Sequence, residues 1–323
     1  APVDANEPRL VEFTGPTMGT WFTVKVVDPP ASLDTDTLQR DVQNVLAKVD
    51  GLMSTYRSDS ELSRLNRFGE PDWFAVSADT AAVIDEALRV ADLTGGAFDP
   101  TVSPLVNLWN FGPVRRTEDR VPSEAEIEEV MARIGYEKVE VRLSPPGVRK
   151  KRGDLSIDLS GVAKGFAVDR VAEGLDQAGI RDYMVDVGGE VKARGCNLQG
   201  EPWRIGVEVP TAGERGVQRV VPLDGLAVAT SGDYRNYFEQ DGVRYCHLLD
   251  PRLGRPIRHK LASVSVVAPG CARADALATA LMVLGPQDGY DLAVEQDLTA
   301  LFLINTEDGF VEKATPPFQE TFP

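Results

Sequence analysis

Basic side chains, histidine and cysteine are all scarce in this 323-residue chain. Lys and Arg number 34 against 50 Asp and Glu, a formal charge of −16 at pH 7. Binding along a phosphate backbone depends on clustered Lys and Arg, so this polyanion is not expected to wrap DNA or RNA. No basic amphipathic stretch points to a membrane surface, and no apolar run approaches the roughly 20 residues needed to cross a bilayer. The two histidines, His247 and His259, and the three cysteines leave little for a zinc site. A metal here is expected to be a hard ion held by oxygen. Cys196, Cys246 and Cys271 lie far apart and form no Cys-x-x-Cys pair and no dense framework, so thiols or small buried hydrophobes are expected, with a single disulfide as the alternative. The sequence starts at Ala1 with no basic or apolar leader, which fits a processed or a trimmed product, a removed export signal being one way to reach it.

Enough apolar residue is present (42%) to build a sizeable core, in one large domain or two closely joined ones. Residues 1–9 read as a loose lead-in. Strands are predicted at Glu12–Phe13 and Trp21–Val27, around a turn through Gly15 to Thr20. Apolar residues from Leu38 to Leu52 recur at helical spacing. Ser77 is expected to cap a helix through Leu93, ended by Gly95-Gly96, and Ser123 with Glu126 forms a capping box. Residues 144–153 read as a turn-rich basic connector. Beyond it the spacing predicts a short strand at 155–158, a helix at 161–178, and strands at 183–187 and 190–193 about a Gly188-Gly189 turn. Further strands are predicted at 203–208, 217–222, 226–230, 244–249, 262–268 and 298–304, with helices at 271–284 and 286–294. Strands with interspersed helices indicate an α+β or mixed α/β class, not a run of simple βαβ units.

Four segments have chemistry in them. The helix at 271–284 is small and apolar except for Asp275 and Thr279. Their i, i+4 spacing puts both oxygens on one face. A buried carboxylate needs a partner: a hard metal is one option, a distant Arg or backbone amides another, with Thr279 bonded to its own helix. Asp158 to Gly165 runs from an acid through a tight turn into a helix whose N-terminus, with Lys164, suits an anion. It lacks the full P-loop pattern and is open to the plainer reading of a helix capped by Ser160. Thr94 to Thr101 lets the backbone approach a flat ligand at Gly95-Gly96, or is an ordinary helix end before a proline turn. Tyr245 to Pro256 contains His247, either a structural histidine or a general base near neutral pH, with Asp250 as a candidate to orient it. His259, between Arg258 and Lys260, reads as a solvated loop residue. Tyr56 and the aromatics of Leu108 to Gly112 suit either stacking on a ring or the core.

Taken in order, these segments resemble the ApbE family of FAD:protein FMN transferases. The correspondence runs through Met18-Gly19-Thr20, Tyr56-Arg57, Gly96 to Pro100, Asp158 to Gly165, Val187 to Glu190, Ala229 to Tyr234, His247 to Gly254 and Ala274 to Thr279, over roughly residues 10–310. The resemblance implies a single α+β unit over 10–323, with a T-fold-like core of mixed or antiparallel sheets and packed helices. It implies Mg²⁺-dependent transfer of FMN from FAD to a Thr or Ser hydroxyl of an acceptor flavoprotein, with a phosphoester formed and AMP released. The alternatives are an FAD pyrophosphatase at the same site and a flavin-binding protein without turnover. The flavin positions it implies are Met18, Tyr56, Ala97, Phe98, Asp99, Asp158, Lys164 and Leu249. The metal positions are the Gly161 carbonyl, the Asp275 carboxylate and the Thr279 hydroxyl. His247 and Asp275 are the expected catalytic residues. A periplasmic or exported location is implied as well.

Overall fold

The computed structural model describes residues 8–113, 120–208, 217–232, 237–307 and 309–323. The expected lead-in thus lies almost wholly outside the described residues, as does the Asp233-Tyr234 end of one motif. The protein is α+β. Its centre is an eight-stranded sheet in the order Leu10–Thr17, Thr20–Val27, Asp182–Val187, Glu190–Arg194, Leu226–Gly232, Leu261–Ala268, Thr299–Thr306 and Gly309–Ala314. Every neighbouring pair in it is antiparallel.

The first hairpin is tighter than the sequence suggests. Its turn is Met18-Gly19 alone, both with positive φ (47° and 74°), the twist that a two-residue turn requires. Gly15 and Pro16 are drawn into the strand, opposite Phe22 and Trp21. Proline is tolerated there because the strand is at the sheet edge, where a missing N–H goes unused.

One face of the sheet packs against the helices Thr35–Met53, Ala163–Gln177 and Cys271–Leu284, with helix Ala78–Leu93 laid over the last of these, enclosing the main core around Val24, Val185, Ala229, Val264 and Leu277. The opposite face is covered by the hairpin Trp203–Glu208 with Val217–Leu223 and by the last helix, Pro316–Thr321, around Trp203, Leu301 and Phe318. A third cluster stacks Trp109, Tyr245 and Phe238, with ring centroids 5.6 and 5.2 Å apart, over Leu249. It steadies the segment after His247, because Trp109 Nε1 donates to the Gly254 carbonyl at 3.0 Å.

Three expectations change. Residues 146–150 of the supposed connector form the central strand of a three-stranded sheet with Trp73–Ala75 and Val139–Leu143. Residues 155–158 are extended but lie in no sheet. Their alternating buried apolar side chains, Leu155, Ile157 and then Leu159, imitate a strand pattern. The predicted strand at 244–249 is two, Val243–Cys246 and Leu249–Asp250, and His247 occupies the break. All three cysteines are free thiols. No helix among the described residues is long and apolar enough to cross a membrane.

Candidate active site

A cavity of about 460 Å³ opens where several of these elements end. The end of strand Leu226–Gly232 supplies Thr230 and Ser231, and the start of Glu190–Arg194 supplies Glu190. Helix Cys271–Leu284 supplies Asp275 and Thr279, and the entry to helix Ala163–Gln177 supplies Gly161 and Lys164. Ala97, Phe98, Asp99 and Asp158 form another wall, His247 to Leu249 a third, and Tyr56, 75% exposed, stands at the rim. Met18 is not among the lining residues. It sits on the adjacent hairpin turn against the main core, one residue from Gly19 and two from Thr20, whose side chain abuts Gly188 of the cavity wall.

The helix bearing Asp275 is pressed against the helix bearing Lys164. A Cβ on Gly165 would meet the Cys271 carbonyl oxygen at 2.4 Å, so only glycine permits this approach. The proximity lets the Gly165 N–H donate to Asp275 Oδ2 at 3.0 Å. Asp169, one turn further on, accepts from the Ala272 N–H at 2.9 Å and pairs with Lys192 at 2.8 Å. Helix 271–284 has no side-chain cap of its own, and this borrowed carboxylate faces its positive end. Arg273 pairs with Glu86 at 2.9 Å, away from Asp275.

Asp275 is 4% exposed, and burial pushes its carboxyl upward against the opposing pull of Lys164 and the Gly165 amide. Thr279, one turn on, shares a 3.2 Å hydrogen bond with Ser231 Oγ. Its Oγ1 lies 3.5 Å from the point where a Gly161 Cβ would stand, so the Gly161 backbone faces the same spot. Lys164 Nζ is 2.5 Å from Glu190 Oε2. Burial works against its charge, but Asp275 and Glu190 outweigh it and raise its pKa. Glu190 itself is pushed up to about 8 by burial first and by Asp275 second.

Among the described residues no three His, Cys, Asp or Glu side chains form a metal cluster. A cation at this spot would find the Asp275 carboxylate beside neutral oxygens, with water and substrate to complete its shell. That is a donor set suited to Mg²⁺, which keeps several waters and takes few protein carboxylates. The residues fit such an ion.

Other candidates are spent partly on local structure. Asp99 Oδ1 accepts from the Thr101 N–H (2.7 Å) and hydroxyl (2.6 Å), and Oδ2 from the Tyr136 N–H at 3.1 Å. Asp158 Oδ1 accepts from the Ser160 N–H at 2.8 Å, shaping the turn before Gly161. Asp250 is engaged by Arg252, which donates to both its oxygens at 2.9 and 2.7 Å. His247 lies edge-on to Phe111, at 6.5 Å between centroids. His259 is no solvated loop residue. Its Nδ1 accepts from the Leu261 N–H at 3.3 Å, which leaves Nε2 to donate to the Met282 carbonyl at 2.9 Å near the C-terminal end of the Asp275 helix. Sequence reasoning assigns no role to Glu190 or Ser231, although both line the cavity. The signal for Glu190 was an acid directly after a Gly-Gly turn, starting a strand bound for the core.

The ApbE family profile matches residues 18–302. An FAD:protein FMN transferase of Vibrio cholerae is 46% identical over 96% of this chain and 92% of its own length. One of Haemophilus influenzae is 41% identical over 98% and 92%. Among solved structures, the flavin transferase ApbE from Vibrio cholerae superposes with a TM-score of 0.90 at 43% identity, covering 98% of this chain and 100% of that one. The Pseudomonas stutzeri flavinyl transferase ApbE in its apo form also gives 0.90, at 39% identity and 99% of each chain. On the family match over most of its length and these identities, the chain belongs to the ApbE family.

Proposed function

We infer that the protein is an FAD:protein FMN transferase. The observation that carries this is the meeting of the buried Asp275 carboxylate, the Thr279 hydroxyl and the Gly161 backbone at one wall of the cavity, in a chain of this family. In the proposed reaction an acceptor Thr or Ser oxygen attacks the FMN phosphorus of FAD. The pyrophosphate bond breaks, its bridging oxygen leaves on AMP, and a phosphoester joins FMN to the acceptor. Mg²⁺, held by Asp275, Thr279 and the Gly161 carbonyl, would supply neutralisation of the charge that builds on the phosphate oxygens.

The chain's own groups do the rest. Lys164 offers a second positive charge at a helix N-terminus, a position that favours phosphate. Asp158, Ala97, Phe98, Asp99 and Leu249 bound the space for the flavin and adenine, and Tyr56 offers its ring to the flavin from the rim. A free hydroxyl is a poor nucleophile, and His247, at the break between two strands on the cavity wall, is assigned its proton. The same proposal takes residues 10–323 as one unit with a T-fold-like core, supported by a single sheet running from Leu10–Thr17 to Gly309–Ala314. On the family resemblance alone we also propose that the protein works outside the cytoplasm; recovery in the cytoplasmic fraction of the native host would refute that.

The test is incubation with FAD, Mg²⁺ and an acceptor bearing a Thr segment, read by mass spectrometry. The acceptor should gain FMN. Free FMN and AMP with an unchanged acceptor would mean a pyrophosphatase, and bound FAD without turnover a binding protein. Asp275→Ala should lower the rate on the order of 10³-fold, the scale of several kcal/mol of charge stabilisation. His247→Ala should slow transfer more than it weakens FAD binding, and the reverse would remove it from the base role.

A further inference from the structure

The basic run at residues 149–152 splits in two directions. Arg149 pairs with Glu140, Arg152 with Asp154 at 2.8 Å, and Lys151 donates to the Glu137 carbonyl at 2.8 Å, all at the surface. Lys150 turns inward and is 1% exposed. Its ammonium donates to the carbonyls of Asn66 and Leu155 at 3.0 Å each and of Gly153 at 3.3 Å. Three carbonyls use the three protons of an ammonium. Burying a charge is costly, and burial pulls this lysine's pKa down, so ordinary core packing does not account for a lysine here.

What the lysine ties down is the extended segment 155–158, which has no sheet partner. Asn66 completes the hold: its Nδ2 donates to the Ile157 carbonyl and its Oδ1 accepts from the Ile157 N–H, both at 2.8 Å. That reproduces with one side chain a rung of a β-ladder. The Asp158 N–H then donates to the Pro100 carbonyl at 2.7 Å, joining the segment to the Ala97–Asp99 wall. The segment delivers Asp158 and, three residues later, Gly161 to the cavity. Neither Lys150 nor Asn66 lines that cavity.

We propose that Lys150 and Asn66 are positioning residues, a clasp, buried at Lys150 and half-buried at Asn66, that sets Asp158 and Gly161 at the cavity wall and so governs FAD affinity from outside the site. This rests on the reading of the cavity as an FAD site. The experiment measures FAD dissociation constants by flavin fluorescence, well below each protein's melting temperature, for wild type, Lys150→Met, Asn66→Ala and Phe318→Leu. The last is a stability control in the core on the far face of the sheet. Lys150→Met and Asn66→Ala should each raise the FAD Kd and KM roughly 10- to 100-fold, with a smaller effect on kcat, the scale seen when groups behind a site are loosened. Native-state hydrogen exchange should show lost protection at the Ile157 and Asp158 amides. Phe318→Leu should lower the melting temperature and leave the Kd unchanged.

A folded Lys150→Met or Asn66→Ala protein binding FAD within twofold of wild type would overturn the proposal. So would an equal rise in Kd in the Phe318 control. Should Lys150→Met fail to fold, Asn66→Ala, which strands no buried charge, decides alone. A wild type that binds no FAD would instead defeat the functional assignment, so the two failures are distinct.

Discussion

Glu190 shows how a residue can be visible in a sequence and its task invisible. It follows two glycines and opens a strand, yet nothing local says that its carboxylate is buried against Lys164 with Asp275 nearby. Burial and the Asp275 charge push its pKa from the ordinary 4.5 to about 8. The folded state therefore holds this proton more tightly than the unfolded chain. Its stabilising contribution is complete below about 4.5 and is lost as the pH rises towards 8. Glu190→Gln fixes the neutral form. In metal-free buffer the melting temperature of wild type should fall relative to that of Glu190→Gln between pH 5 and 8, and parallel curves would refute the raised pKa. His259 shows the same limit of local reading. Flanked by Arg258 and Lys260 it looks solvated, whereas its ring spans the Leu261 N–H and a carbonyl of the Asp275 helix.

Helix 271–284 was legible as an element. Its apolar composition announced burial, and the i, i+4 spacing put Asp275 and Thr279 on one face. What faces them was not legible, because it comes from Gly165, 110 residues earlier in the chain. The predicted strand at 155–158 failed for a related reason. Alternating burial is a property of a half-buried extended chain, and here Asn66 and Lys150 replace the missing neighbouring strand. Residues 144–153 read as a connector because a basic run is usually solvated, whereas one lysine in it is buried. The contact between helices 163–177 and 271–284 is open to direct test. Gly165→Ala places a methyl against the Cys271 carbonyl and should cost about 1–3 kcal/mol, the usual scale of overpacking. Denaturant unfolding measures that cost. Because the same glycine donates to Asp275, divalent-cation binding by calorimetry should weaken in parallel. Unchanged stability and metal affinity would mean that the helices are not so tightly apposed.

At the scale of the whole molecule, the order of the motifs along the chain was enough to indicate the family, while the strand order of the sheet was not. Sheet order depends on pairings such as Phe22 with Val187, which no local pattern encodes. The net charge of −16, by contrast, is a whole-molecule property available from composition alone. It bears on the proposed substrate, since FAD is itself an anion through its two phosphates. A polyanionic protein repels such a ligand at long range, and attraction is confined to short-range groups in the cavity, Lys164 and a bound cation. Screening acts on the long-range part first, because the Debye length shrinks from about 30 Å at 0.01 M to about 8 Å at 0.15 M. Raising monovalent salt over that range, with Mg²⁺ held fixed and saturating, should therefore speed FAD association, by about two- to tenfold in stopped-flow fluorescence. A basic, phosphate-steering protein would show the opposite trend. A rate that falls with salt here would mean that a local positive field at the cavity mouth outweighs the global charge.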